Sequence, residues 1–377
     1  MNDKLGFGCM RLPLADPDDS TAIDIDELSR MVDAFIGSGF SYFDVAATYH
    51  DGYCEQALRR ALVDRYPRPA YRLADKLPTM QVDNAARQEQ IFDDQLRRCG
   101  VDRFDRYMIH CATDEFFARA QTLDSFRFVM RKRGEGLVGE AGFSFHGSPV
   151  LLERILDEWP GMDFVQLQIN YLDWESTPVA ARRCYETAMR RGLRVVAMCS
   201  QKGGLLADVP AGVESMMRRL RPDDSPSVWA LRFVASLEGV DTVLSGMTSL
   251  RDVTRNVDTM RDVQPLSADE RAVLRRAADA ILEAAPVQCT SCGYCVPTCP
   301  ADIPIPDYLW LYNSQVEARR TGFGDYADRY AFCSEGRGAA SACTACGNCE
   351  RRCPQRLRII DSLACVAAMF GQAAATP

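Results

Sequence analysis

No stretch of the 377 residues approaches the roughly 18 consecutive apolar residues that a membrane-spanning helix requires, so the sequence points away from a membrane. Basic charge is short as well. Lys and Arg number 44 against 52 Asp and Glu, a formal net charge of −8, and nucleic acid is disfavoured as a partner because phosphate binding needs a basic face. The opening MNDKLGFGCMRLPL carries acidic and glycine residues where a secretory signal has a basic start and an unbroken apolar run, and a cytoplasmic protein is expected. Histidine is scarce, with three residues, and no recognisable flavin motif occurs.

Cysteine is abundant and uneven: six of the sixteen fall in residues 1–285 and ten follow. A secreted disulfide scaffold is short and cysteine-dense throughout, and this chain is neither, so the clustered thiols point to metal. They form two Cys-x2-Cys-x2-Cys-x3-Cys-Pro runs: Cys289, Cys292, Cys295 and Cys299, then Cys343, Cys346, Cys349 and Cys353. Three-residue spacing lets a tight loop wrap three thiolates around one cluster face. The fourth cysteine, before proline, is carried away from that loop, and in two-cluster ferredoxins it ligates the other cluster. One [4Fe–4S] cluster is therefore assigned to Cys289, Cys292, Cys295 and Cys353, and a second to Cys343, Cys346, Cys349 and Cys299. Zinc also favours Cys-x2-Cys pairs but has no use for a third evenly spaced cysteine plus Cys-Pro, twice. Cys333 and Cys365 lie outside the pattern and read as buried structural thiols. The 43 residues between the runs contain PDYLWLYNSQVEARR and FGDYADRYAF, whose apolar spacing predicts a mainly helical ferredoxin-like domain.

Upstream, short apolar runs alternate with amphipathic ones. Strands are expected at SYFDVAA (41–47), YRLADK (71–76), RYMIH (106–110), GEAGFSF (139–145), FVQLQI (164–169), RVVAMC (194–199) and TVLSGM (242–247), with LGFGCMRL as a further strand. Helical patterns such as IDELSRMVDAFI, ALRRALVDRY, ARQEQIFDDQLRRC and VAARRCYETAMRR lie between them. About eight such units in roughly 250 residues imply a (β/α)8 barrel. A doubly wound sheet is the runner-up, but no glycine-rich G-x-G-x-x-G turn follows its first strand. The domains expected are a barrel over 1–262, a linking helix over 263–285 and an iron–sulfur domain over 286–377. Active sites of such barrels sit at strand carboxyl ends. Polar residues there include Asp44, Tyr49, Lys76 and His110, and all three histidines, His50, His110 and His146, fall at or just after strand ends.

FDVAATYHDGYCE, then Lys76 ending a strand, then His110 ending the next, resembles the aldo-keto reductases over about residues 4–260. LADKLP, GFSFHG, QLQINYLD and SGM, joined to the cysteine runs, are similar to the branch with a ferredoxin-type tail. The resemblance implies that Tyr49 is the general acid for carbonyl reduction, tuned toward neutrality by Lys76, with Asp44 orienting Lys76. It implies that His110 orients the substrate carbonyl. For NADP or NAD it implies Ser144 and Gln166 at the carboxamide. It places Ser200 and Lys202 at the pyrophosphate, and Gly246, Thr248, Arg251 and Asn256 at the adenosine phosphate. The family's Ser-Asn pair is absent: Phe145 follows Ser144. The aromatic or Pro-Leu turn after strand seven is replaced by Met198-Cys199-Ser200-Gln201-Lys202-Gly203-Gly204. Cys199 is open to a redox role or a packing one, and Trp174 and Trp229 to substrate contact or core.

Nicotinamide delivers two electrons and each cluster passes one. The leading expectation is an NAD(P)H-dependent carbonyl reductase, or alcohol dehydrogenase in reverse, acting on a small molecule and exchanging electrons with a ferredoxin or other redox partner protein. Alternatives are an electron-transfer protein whose barrel is a docking module, and clusters that are structural or redox-sensing.

Overall fold

The computed structural model describes residues 2–17, 19–176, 179–284, 286–321, 326–334 and 336–371. The chain forms two compact units, one of Met1–Glu175, Ala180–Gln201 and Ser227–Ser267, the other of Ser176–Val179, Lys202–Pro226 and Ala268–Pro377. Among the described residues no helix is long and apolar enough to cross a membrane.

The first unit is a closed parallel barrel with its strands in sequence order. They are β1 (Asn2–Gly8), β2 (Phe40–Asp44), β3 (Arg72–Leu77), β4 (Phe104–Ala112), β5 (Val138–Phe145), β6 (Phe164–Gln168), β7 (Arg194–Met198) and β8 (Val240–Gly246). Each strand expected from apolar alternation is present. The runs read as helical between them form helices Ile25–Gly37, Ala85–Cys99 and Ala181–Arg190. ALRRALVDRY departs from one regular helix. An α-turn over Cys54–Leu58 widens into a π-turn over Arg59–Val63, which keeps Ala61 and Leu62 buried. A G-x-G-x-x-G does occur, at Gly134–Gly139, but it runs from a helix end into β5, the reverse of the strand-to-helix order that cradles phosphate.

Large and small residues interlock in the lumen. Tyr42, Ala74, Met108, Phe164, Val196 and Leu244 pack as one buried layer. A Cβ on Gly6 would come within 2.9 Å of the Tyr42 ring, and one on Gly142 within 2.7 Å of the Phe164 ring, so these glycines admit the aromatics. Beneath this layer Arg106 is fully buried, stacked over Tyr42 and Phe164 at 5.1 and 5.0 Å and paired with Glu140 at 2.7 Å and with Asp241. Arg72 joins Asp3 at 2.6 Å and Arg194 joins Glu140 at 2.8 Å. These charges lie on the amino-terminal halves of their strands, the end of a barrel that serves stability, leaving the opposite rim for chemistry.

In the second unit, helices Ile305–Thr321, Ala327–Ser334 and Ile359–Phe370 pack around Tyr308, Tyr330 and Phe370, with ring centroids 4.7 and 4.9 Å apart. The first three residues of FGDYADRYAF, at 323–325, lie outside the described residues. The two cysteine loops repeat one backbone. Ser291 and Ala345 have φ of 52° and 54°, Gly293 and Gly347 77° and 74°, and Asp302 and Arg356 47° and 51°. Left-handed residues at matching positions turn each loop tightly around its cysteines. Cys365 is exposed, contrary to its reading as a buried thiol, because Ile359, Leu363, Val366 and Phe370 take the buried face of its helix; Cys333 is half-buried.

Candidate active site and cysteine loops

The carboxyl rim brings Asp44, Tyr49, Lys76 and His110 together. Lys76 Nζ donates to Asp44 Oδ1 at 2.5 Å and to the Val45 carbonyl at 2.8 Å, with both side chains buried. The same ammonium lies 4.8 Å from the centroid of the Tyr49 ring, and the Tyr49 and His110 rings meet edge-on at 6.1 Å. Burial pushes the Asp44 carboxyl up, with Lys76 and Gln166 opposing. Burial first, then the charges of Lys76 and His146, hold His110 well below the usual imidazole range, so it is neutral at pH 7. Its Nδ1 is buried with no hydrogen-bond partner among the described residues.

Tyr49 departs from expectation in one respect. It is half-buried as a residue, yet burial of its phenol is the largest influence and raises it well above its ordinary value. Asp44 and the Cys54, Cys199 and Cys9 thiols push the same way. The expected lowering by Lys76 does not prevail because that ammonium is engaged by Asp44 and Val45. The phenol is held protonated, as a proton donor requires.

The surrounding shell positions these groups. Ser144 Oγ accepts from the Cys111 backbone N–H at 2.7 Å, where Cys111 has a φ of 58°, and so fixes the chain just past His110. Gln166 Nε2 donates to Asp44 Oδ2 at 3.2 Å, while its Oε1 is buried without a partner among the described residues. His50 is a structural clasp. Its Nε2 accepts from Leu12 N at 3.0 Å and its Nδ1 meets the Ser20 carbonyl at 2.8 Å, pinning the turn that carries Tyr49. Sequence reasoning missed Asn170 and Asp173. Asn170 Nδ2 donates to Asp173 Oδ2 at 2.8 Å and to the Cys199 carbonyl at 3.1 Å, bracing the turn after β7. Their only sequence signal is the polar pair inside QLQINYLD.

The remaining cofactor candidates spread along β7 and β8. Ser200 Oγ donates to the Leu244 carbonyl at 2.7 Å, and Asn256 Nδ2 to Ser245 Oγ at 2.9 Å. Gly246 ends β8 and Thr248 Oγ1 donates to Asp252 Oδ2 at 3.2 Å. Arg251 is exposed in helix Leu250–Arg261, whose Leu250 N–H is held by the Glu27 carboxylate at 2.9 Å. Lys202, expected at the pyrophosphate, has its ammonium on Gln355 Oε1 at 3.0 Å. Trp229 is fully buried as core in helix Pro226–Ala235, and the half-buried Trp174 packs edge-on against Phe233 at 5.4 Å.

In the second unit Cys299 lines a small cavity together with Cys343, Cys346 and Cys349. Burial and then the neighbouring Cys292, Cys289 and Cys353 push Cys295 up to about 12. Burial likewise pushes Cys353 up to about 11, against backbone N–H groups of Leu357 and Gln355 that point at its sulfur. Among the described residues no three of these sulfurs lie within 4.8 Å of one another. A tetrahedral zinc with Zn–S of ~2.3 Å needs sulfurs ~3.8 Å apart, whereas a cluster holds its thiolates on a larger cube. The donor set fits a [4Fe–4S] group.

A barrel with this rim, in one chain with two such cysteine loops, defines an oxidoreductase. The sequence profile of the Aldo/keto reductase family matches residues 4–279, and the chain belongs to that family. A 4Fe-4S dicluster domain profile matches residues 288–357, so the chain carries an iron–sulfur domain. No curated protein matches the chain. Solved structures similar in fold include the holo form of an aldo-keto reductase from Bacillus halodurans, at 24% identity and TM-score 0.59, covering 73% of this chain and 91% of that one. Another is an aldo/keto reductase from Klebsiella pneumoniae in complex with NADP and acetate, at 18% identity and TM-score 0.58, covering 72% and 90%. A third, from Brucella melitensis, shares 18% identity with TM-score 0.55, covering 72% and 92%.

Proposed function

We propose that the barrel is an NAD(P)H-dependent carbonyl reductase, or catalyses the reverse alcohol oxidation, on a small-molecule substrate. The convergence of Asp44, Lys76, Tyr49 and His110 at the rim carries the reading. The nicotinamide, when bound, supplies hydride. The orphaned Gln166 Oε1 is an acceptor suited to its carboxamide N–H, beside Ser144. Ser200, Gly246, Thr248, Arg251 and Asn256 are the candidates for the rest of the dinucleotide, and the Klebsiella relative binds NADP in a barrel of the same fold. Tyr49 holds a proton on its hydroxyl for the substrate oxygen, Lys76 and Asp44 fix the ring's electrostatic surroundings, and neutral His110 orients the carbonyl. Tyr49→Phe removes the proton and leaves the packing. Carbonyl turnover should fall by a factor of ~10² to 10⁴ with unchanged circular dichroism and iron content. Full activity in that variant sinks the proposal.

The dicluster domain favours a second element of the reading: two [4Fe–4S] clusters with exchanged fourth ligands, passing single electrons to a redox partner protein. The cavity shared by Cys299 with Cys343, Cys346 and Cys349 supports the exchange. An anaerobic titration with NADH and NADPH tests the link to the barrel. Bleaching of the cluster absorbance without added flavin means that the chain relays electrons. Nicotinamide oxidation only when a carbonyl is added leaves a reductase whose clusters answer to another protein.

A further inference from the structure

The turn after β7 ends in a lysine whose placement a phosphate-binding role does not explain. Lys202 adopts a φ of 45°, left-handed for a side chain, and is followed by Gly203 at 69° and Gly204 at 104°. Such a conformation persists only where its surroundings over-determine it. The Lys202 side chain is 2% exposed, and a buried ammonium needs compensating polar or anionic partners. Its Nζ donates to Gln355 Oε1 at 3.0 Å, and Gln355 is itself 5% exposed. Gln355 stands two residues past Cys353 and turns its backbone N–H to that cysteine's sulfur. Burial pushes the Cys289 thiol up, and the charge of Lys202 is among the weaker influences opposing it. One buried cation thus acts on Cys289 by charge and reaches Cys353 through Gln355. Near the other set Arg351 donates to the Cys346 carbonyl at 3.3 Å from an exposed position where solvent screens it.

We infer that Lys202, held by Gln355, is a positioning charge for the iron–sulfur site of Cys289, Cys292, Cys295 and Cys353, and that it raises that cluster's reduction potential above what its thiolates alone would set. The inference rests on the reading of these cysteines as cluster ligands. Reduction adds one electron and no proton, taking a [4Fe–4S] group with four thiolates from a formal two negative charges to three. A fixed neighbouring cation stabilises the reduced form more than the oxidised one, and burial keeps its field from being screened.

The test is a potentiometric titration of the anaerobically loaded full-length chain, followed by electron paramagnetic resonance. In Lys202→Met one of two midpoints should fall, so that the reduced-to-oxidised ratio at fixed potential drops about tenfold, ~59 mV for a one-electron couple. The other midpoint should stay, and Lys202→Arg should restore the first. Gln355→Leu releases the ammonium while keeping the backbone N–H, and should shift the same midpoint in the same direction by less. Unmoved midpoints in Lys202→Met overturn the inference; if that variant does not load, unmoved midpoints in Gln355→Leu do so. Loss of NADPH affinity in Lys202→Met with both midpoints unmoved also overturns it and returns the lysine to the dinucleotide. A wild-type chain that takes up iron and sulfide without any [4Fe–4S] signal on reduction fails the cluster reading itself, a separate result.

Discussion

Removing the cation beneath Tyr49 separates a buried ion pair from ordinary packing. In Lys76→Met the side-chain volume is nearly kept, but Asp44 loses a 2.5 Å partner and retains the Gln166 Nε2 contact at 3.2 Å. Both charged side chains are at most 3% exposed, so the remaining carboxylate cannot recover its hydration. Breaking such a pair costs about 3–5 kcal/mol, on the order of 10 °C in unfolding midpoint for a barrel of this size. The loss should depend on pH. Asp44 is already pushed upward by burial with Lys76 opposing, and without Lys76 its folded-state value rises further. Above its unfolded value of ~3.9 the folded variant then binds more protons than the unfolded one, so its stability is greatest at low pH. Stability falls by up to ~1.4 kcal/mol per pH unit as pH rises toward the folded value, then levels off. Unfolding in urea, followed by far-ultraviolet circular dichroism between pH 5 and pH 9, measures this, with cluster absorbance recorded separately. Lys76→Met with Asp44→Leu should recover most of the loss, because no charge remains buried. A single variant as stable as wild type, or one whose deficit is the same at every pH, refutes the argument.

The pH profile of carbonyl reduction should show a broad plateau in kcat/KM. Tyr49 keeps its proton past its ordinary value near 10 and His110 stays neutral from well below 6.5, so an inflection near pH 7 to 8 contradicts both assignments. Gln166→Leu removes the orphaned acceptor and should weaken NAD(P)H binding about tenfold by fluorescence titration; unchanged affinity removes Gln166 from the carboxamide site. Cys299→Ala should destabilise the cluster of Cys343, Cys346 and Cys349 and spare the other, read as loss of one of two reduced-cluster signals. Selective loss of the cluster held by Cys289, Cys292 and Cys295 means that the fourth ligands are not exchanged.

Much of the barrel was legible because its signals are local. Apolar strands end at polar residues in a fixed order, and Asp44, Lys76 and His110 fall on β2, β3 and β4 at corresponding depths, where closure brings them together. Cysteine spacing is also local, and the repeated left-handed residues around Cys292 and Cys346 are its conformational counterpart. What escaped depends on distance along the chain. The bond between Lys202 and Gln355 joins positions 153 residues apart, which no local pattern announces. The place of His50 just after a strand was legible, but not its partners Leu12 and Ser20, which take both ring nitrogens.

The direction of the Tyr49 shift illustrates the same limit in energetic terms. From sequence, a lysine beside a tyrosine implies an acidified phenol. In three dimensions the ammonium is 4.8 Å from the ring centroid but bonded to Asp44 and Val45, and the Cys9, Cys54 and Cys199 thiols act on the same phenol. The nearly neutral ion pair leaves desolvation as the larger influence, and desolvation favours the uncharged phenol. A donor held in its protonated form suits carbonyl reduction, while alcohol oxidation needs the same hydroxyl to accept a proton. The forward direction should therefore hold its rate across neutral pH, and the reverse direction should accelerate as pH rises toward 10 and beyond. A reverse reaction that is fastest near pH 7 would mean that another group takes the alcohol's proton.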